Sequence, residues 1–242
     1  MKTTAFALAL FGLAACGGGS GGPGGGGGDG GGVDTPAGSM ITISGISSSV
    51  GISGRTPLGG VAIAVFKASD DSLIAMTTSD ATTGVFSISA PSNGAAIDGY
   101  LKATIATYKD TYLYPPGPLS SDFANVPVLM LTQSTQNLAN QLAGAAAPSA
   151  TKAWIGGIID DAAMTPVMGA VLTSSPAGEI KYNGNAGIPQ AQATSTAADG
   201  IAYSMNVAAG DVTLGATKTG TTFHAHTIKA RADKVTLTLV TP

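Results

Sequence analysis

The chain of 242 residues has one cysteine, one tryptophan, two histidines and few charges. Charged residues make up 10% of it and the net charge is −3, so no basic field is present to attract nucleic acid. A single cysteine excludes an intramolecular disulfide and a Cys/His zinc cluster. No H-E-x-x-H or phosphate-loop motif occurs. We therefore predict no enzyme activity, no cofactor and no nucleic-acid partner.

The first 15 residues have the pattern of a secretory signal peptide. Lys2 gives a basic start, and an apolar run follows from Ala5 to Ala15. This run is too short to cross a hydrocarbon core of about 30 Å, which needs about 20 residues. Residues 1–15 are therefore predicted to be removed during export.

The stretch Leu13-Ala14-Ala15-Cys16 resembles the lipobox of bacterial lipoproteins, in which the cysteine is acylated and becomes the mature N-terminus. Residues 16–39 are rich in glycine, which costs the most entropy to order, so they predict a flexible tether. The resemblance implies a lipid on Cys16 that attaches the protein to a membrane of the cell envelope. In such lipoproteins the residue after the cysteine influences sorting, and Gly17, rather than aspartate, at this position favours the outer membrane. The alternative is an ordinary signal peptide followed by a free thiol.

Two stretches of the remaining chain carry the same turn motifs in the same order. The shared positions are Thr56 and Thr165 (Thr-Pro-x-x-Gly), Thr78 and Thr194 (Thr-Ser with glycine six residues after the threonine), and Gly99 and Gly210 (glycine opening a strand). The second copy has about seven extra residues, for which Lys181–Gln190 is the candidate loop. The order of the motifs predicts a duplication, with domains at residues 40–148 and 149–242.

Each copy has the pattern of short β-strands separated by turns. Apolar residues alternate with others along residues 61–66, 101–105 and 234–240, as expected of strands with one face in a core. In the last run, this alternation places Thr236 and Thr238 on the water side. Thr-Gly at 83–84 and Asp-Gly at 199–200 predict hairpin turns. The fold class predicted is all-β, as two tandem transthyretin-like or immunoglobulin-like antiparallel sandwiches.

One helix is predicted at the end of the first copy. Thr132 or Ser134 is the candidate N-cap, and Gly144 with a later proline gives a stop signal. Leu138 and Leu142 lie one turn apart and form the candidate apolar face. Trp154, at the start of the second copy, is predicted to lie in the core or at the domain junction.

The spacing of these turn motifs resembles the carboxypeptidase regulatory-like domain, over residues 40–131 and 153–242. The resemblance implies a transthyretin-like sandwich of seven strands in each copy. It also implies an accessory or binding module without catalytic residues of its own. The first copy departs from the family pattern between Tyr108 and Asn125 and in the helix that follows.

The segment "YKDTYLYPPGPL" is the strongest candidate for a binding surface. It contains Tyr108, Tyr112 and Tyr114 together with three prolines. Tyrosine rings on a stiff loop can stack on sugars or contact a protein partner. The alternative is that these rings pack against the second copy or cover the edge of their own sheet.

Histidines and aspartates are the other candidates. His224 and His226 would point the same way in a strand and could bind a metal, but a tight site needs further ligands, and Asp233 is the only local candidate. Aspartates at predicted turns could bind Ca²⁺, but they lack the alternating spacing of a calcium loop, which favours turn capping. These acidic residues are Asp70, Asp71, Asp80, Asp160 and Asp161. We predict no bound metal and capping roles for the aspartates.

Together these features predict a lipid-anchored cell-envelope protein that acts as a binding or structural module. The predicted partners are the membrane, through the N-terminal lipid, and an envelope protein or polysaccharide. The alternative is an accessory subunit of an envelope hydrolase, or such a hydrolase itself, whose catalytic residues are dispersed along the chain.

Overall fold

The computed structural model describes residues 38–51 and 54–242, which form seventeen strands and one helix. The elements in chain order are β1 Met40–Gly51, β2 Gly54–Pro57, β3 Ala62–Lys67, β4 Leu73–Thr78, β5 Val85–Pro91, β6 Gly99–Thr104, β7 Thr111–Tyr114, β8 Phe123–Met130, α1 Gln133–Leu142, β9 Lys152–Ile159, β10 Val171–Ser175, β11 Glu179–Asn183, β12 Pro189–Gln190, β13 Ile201–Ala208, β14 Gly210–Lys218, β15 Thr221–Thr222, β16 His226–Ala230 and β17 Val235–Val240. The predicted signal peptide and Cys16 lie outside the described residues. Inside them, no helix has the length and apolar character needed to cross a membrane.

The first half (residues 40–148) and the second half (residues 149–242) share one pattern of strand pairing. In the first half, β1 pairs antiparallel with β5 and parallel with β8, while β6 pairs with β3 and β7. In the second half, β9 pairs antiparallel with β13 and parallel with β17, while β14 pairs with β10 and β16. The fold class is therefore all-β and sandwich-like, as predicted.

One nine-stranded sheet runs through both halves. Its order is β12-β11-β13-β9-β17-β7-β6-β3-β4, and the parallel pairing of β17 with β7 joins the halves. On β6, Leu101 and Ala103 face the core of the first half, whereas Tyr100 faces the core of the second. Because successive strand residues point to opposite faces, the two smaller sheets pack on opposite faces of the nine-stranded sheet.

Ser79 and Thr196 hold equivalent turns in the two halves. The carbonyl oxygen of each accepts an N–H from the glycine of the Thr-Pro-x-x-Gly motif, Gly60 at 3.2 Å and Gly169 at 2.8 Å. These glycines have φ values of +74° and +79°, which L side chains rarely adopt. Each hydroxyl oxygen also accepts the N–H of the residue that follows that glycine, at 3.0 and 2.9 Å. The structural equivalent of Ser79 is therefore Thr196, whereas the Thr-Ser motif in the sequence aligned Ser79 with the preceding residue, Ser195.

Two predicted loop features differ in the structure. The turns at 83–84 and 199–200 are not hairpins. The first joins β4 to β5, which lie in different sheets, and the second joins β12 to β13, which do not pair with each other because β11 lies between them. The extra segment Lys181–Gln190 is not an irregular loop, because it contains most of the β11–β12 hairpin that extends the nine-stranded sheet.

The last strand is buried on both faces. The prediction that Thr236 and Thr238 face water is wrong, since they are 0% and 5% exposed. The cause is the position of β17, which lies between β9 and β7 inside the nine-stranded sheet. Alternation along one strand shows that its faces differ, but it does not show that one face is solvated.

The helix begins and ends where the sequence predicts. Thr132 is the N-cap, its side chain accepting the N–H of Thr135, and Gly144 after the helix has φ +60°. The predicted apolar face is wrong, because Leu138 is 38% exposed while Gln136 and Asn140 are buried. The helix therefore packs through amide groups.

Candidate functional site

The tyrosine-rich segment lies at the junction between the two halves, and its centre is strand β7. Tyr112 and Tyr114 are each 6% exposed and belong to the core cluster of the second half. Tyr108 packs against the core of the first half, and its hydroxyl lies 3.1 Å from the Ser49 hydroxyl. Because β7 is paired on both sides, Tyr112 and Tyr114 do not form an exposed binding surface. The structure shows the alternative arrangement, in which the rings pack against the second half.

Arg231 from the second half fits among these rings. Its guanidinium carbon lies 4.2 Å from the centre of the Tyr112 ring and 4.7 Å from that of Tyr100. Its Nη1 donates to the Tyr114 hydroxyl at 3.0 Å, and its Nη2 donates to Asp71 Oδ1 at 2.9 Å. A planar guanidinium can stack on aromatic faces while its edges donate hydrogen bonds, so one side chain contacts four residues of the first half.

Asp71 completes this junction cluster from the turn between β3 and β4. Its carboxylate also accepts hydrogen bonds from Lys229 at 2.8 Å and from the Tyr100 hydroxyl at 2.9 Å. The hydrogen bond from Lys229, together with that from Tyr100 and the charge of Arg231, lowers the pKa of Asp71. Burial raises the pKa of the Tyr100 hydroxyl, which therefore stays protonated and donates. The cluster joins the two halves by charge-assisted hydrogen bonds.

The other face of the nine-stranded sheet carries a second contact between the halves, made by α1. Trp154 Nε1 donates to Asn140 Oδ1 at 3.0 Å, and Asn140 Nδ2 donates to the Ala146 carbonyl at 2.7 Å. Both side chains are buried, and Trp154 packs with Leu131 and Met205. The predicted core or junction position of Trp154 is confirmed, and the burial of Asn140 is explained by this bond.

We expect Arg231→Lys to destabilise the chain by about 1–3 kcal/mol, because lysine keeps the charge but loses the planar contacts and the paired hydrogen bonds. Chemical denaturation followed by far-UV circular dichroism measures this loss. Lys218→Arg is the control, since Lys218 is exposed at the end of β14 and should change stability little. Equal stability of Arg231→Lys and wild type would contradict a stabilising role for the cluster.

The histidines are separated by the start of a strand. His226 is the first residue of β16, whereas His224 precedes the strand, so strand alternation does not align the two rings. Asp233 forms an ion pair with Lys109 of the first half. In the described part of the chain, no group of three His, Cys, Asp or Glu side chains could hold a metal.

The turn aspartates cap backbone groups as predicted, with two exceptions. The carboxylates of Asp70, Asp80 and Asp161 accept backbone N–H groups two to four residues later. The first exception, Asp71, belongs to the junction cluster. The second, Asp160, is 2% exposed, and its Oδ1 has no hydrogen-bond partner among the described residues. Burial, with a smaller contribution from Asp161, raises the pKa of Asp160 to about 6.

An open groove of about 610 Å³ lies beside α1. Its polar lining residues are Gln133, Asn137, Asn140, Gln141 and Asp233. Most of these groups already have partners, since Gln133 donates to Asn137, Asn140 bonds to Trp154, and Asp233 pairs with Lys109. The arrangement stabilises the helix and the junction.

No family model and no curated protein matches the chain. Among solved structures it is similar to the shaft pilin SpaA from Lactobacillus rhamnosus GG, with 13% identity, a TM-score of 0.27, and coverage of 84% of this chain and 98% of that one. A minor pilin of Streptococcus agalactiae gives 12% identity, a TM-score of 0.26, and coverage of 83% and 95%. The Bacillus anthracis TIE protein gives 13% identity and a TM-score of 0.27, with 83% of this chain covered. The chain spans 34% of the length of that protein.

Proposed function

We propose that the protein is a non-enzymatic structural module of the cell envelope, in which a lipid on Cys16 anchors one rigid unit made of both halves. The observation that carries the proposal is the continuous sheet across the junction, where β7 and β17 pair over four residue positions. The Arg231 cluster on one face and the Asn140–Trp154 contact on the other support the same conclusion. Such a unit has a fixed length and shape.

The anchor is the part of the proposal that rests on sequence. The Leu13-Ala14-Ala15-Cys16 motif is followed by a glycine-rich tether with a root-mean-square reach of about 25 Å. A tether of this length would separate the folded part from the membrane surface. Three further parts of the proposal also rest on the sequence alone. They are attachment to the outer membrane, an envelope protein or polysaccharide as partner, and kinship with carboxypeptidase regulatory-like domains.

Acylation of Cys16 gives a direct test of the anchor. We expect wild-type cells to incorporate labelled palmitate into the protein, and Cys16→Ala to abolish the label because the acceptor thiol is lost. Ser20→Ala, four residues further along the tether, should retain it. A wild-type protein that takes up no label would contradict the anchor without affecting the unity of the two halves.

A further inference from the structure

Strand β4 is the outer strand at one end of the nine-stranded sheet and pairs with β3 alone among the described strands. Its sequence, LIAMTT, contains no proline and no charged residue. An outer strand presents a free row of N–H and C=O groups that another strand can pair with, and natural proteins usually block it with charge, proline or short length. β4 lacks all three protections, and the one irregularity in its register with β3 lies at its start, between Val65 and Phe66, so that residues 75–78 pair regularly.

Most other outer strands carry such protection, although β10, which pairs with β14 alone, has no proline and no charged residue within it. At the opposite end of the sheet, β12 is two residues long and begins with Pro189. β8 contains Pro127, and its Asn125 has φ +60° beside an irregular register with β1. On β16, the Lys229 carbonyl accepts a hydrogen bond from Arg231. β4 therefore differs from these edges in being open to strand addition.

The outward backbone groups of β4 can be identified from its register. The Ser79 N–H, just after the strand, donates to the Val61 carbonyl and so points toward β3. Because consecutive residues in an antiparallel strand point to alternate sides, Thr77 also points toward β3, whereas Met76 and Thr78 point outward. In residues 38–51 and 54–242, no backbone hydrogen bond between strands or in a turn uses their outward groups.

The side chains of β4 make the same edge apolar. Met76 is 67% exposed and Leu73 is 54% exposed. Met76 lies in a row across the sheet with Ala64, Lys102 and Tyr112. The second half covers Tyr112 at one end of this row, and nothing in the described residues covers Met76 at the other. The exposed apolar end is the kind of surface that association buries.

We propose that β4 pairs antiparallel with β4 of a second copy of this chain, about a two-fold axis at Thr77. This register places Met76 opposite Thr78 of the second copy, so the outward N–H and C=O groups of both residues are satisfied. Self-pairing brings no like charges together, because β4 carries none. The sheet already grows by edge pairing between the repeated sandwiches at β7 and β17. A second copy would extend the same sheet, by antiparallel pairing at β4 where the junction at β7 and β17 is parallel.

Light scattering on the full chain in detergent, with the detergent mass subtracted, tests this proposal. We expect wild type to dimerise as concentration rises, and Met76→Lys to weaken the dimer by about tenfold or more, because the two lysines then lie diagonally across the new strand pair and repel each other. Met168→Lys is the matched control, since Met168 is 62% exposed on a turn far along the chain. It should dimerise like wild type.

Three outcomes would overturn the proposal. These are a wild type that stays monomeric at about 100 μM, an unweakened dimer in Met76→Lys, and equal weakening by Met168→Lys. Circular dichroism checks that each variant is folded, and Thr78→Lys, at a second exposed position of β4, replaces Met76→Lys if that variant is not. The result is independent of the anchor, because acylation of Cys16 is measured by label uptake.

Discussion

Replacing Tyr112 by alanine should lower the free energy of unfolding by about 3–5 kcal/mol, the usual cost of truncating a buried aromatic residue. The ring lies 5.8 Å from that of Tyr100, and the Arg231 guanidinium stacks 4.2 Å above it. The variant thus leaves a cavity in the second core and removes a face from the junction cluster. Tyr112 lies on β7 of the first half and packs into the core of the second half. We therefore expect the variant to unfold in one cooperative transition, at a lower denaturant concentration than wild type.

Tyr112→Phe is the matched control. Phenylalanine keeps the ring that packs against Tyr100 and Arg231, so this variant should stay within about 1 kcal/mol of wild type. Denaturation is followed by tryptophan fluorescence, which reports on Trp154 at the junction, and by far-UV circular dichroism, which reports on the strands of both halves. Two separate transitions, with only one shifted by the alanine variant, would contradict a single rigid unit.

Asp160→Asn should stabilise the protein at neutral pH and remove part of its pH dependence. The pKa of the buried Asp160 carboxyl is raised by desolvation from its usual value near 3.8 to about 6. A raised pKa means that the folded state favours the protonated form. The stability contributed by this group is therefore complete below about pH 4 and is lost as the pH rises through 6. At about 1.4 kcal/mol per pKa unit, the charged form costs about 3 kcal/mol at pH 7.5.

Urea denaturation at pH 4.5 and pH 7.5 measures this effect. We expect Asp160→Asn to gain about 3 kcal/mol over wild type at pH 7.5 and much less at pH 4.5. Asp211→Asn removes the same charge at an exposed position of β14 and should leave the difference between the two pH values unchanged. A gain of similar size at both pH values would show that ionisation of Asp160 is not the cause.

The turns and several strands could be predicted because their causes are local. Gly60 and Gly169 adopt positive φ in equivalent turns, as the repeated Thr-Pro-x-x-Gly motif indicated. The alternation at 61–66 corresponds to β3, whose Ile63 and Val65 are buried. The cap at Thr132 follows from its side chain and the residues that come next. Each of these features depends on a few neighbouring residues.

The part of the junction formed by β17 and Arg231 could not be predicted, because its contacts join residues more than a hundred positions apart. Periodicity indicates that residues 108–119 contain apolar surface, but it cannot show that β7 pairs with β17. Nothing local distinguishes Arg231 from a solvated arginine, although it is one of only two in the chain. Asn140 is polar and lies beside leucines, so its burial becomes clear only with Trp154 as its partner.

The placement of β17 also determines how the folded part responds to a pulling force. The strand is held by six residue pairs with β9 and four with β7, all parallel. Tension applied along the strand from the C-terminal end loads these hydrogen bonds in shear, so they share the load and must break nearly together. A hairpin at the end of a chain would instead open one bond at a time. We therefore expect β17 to resist such a force as a mechanical clamp, with a strength set by an unfolding rate rather than by equilibrium stability.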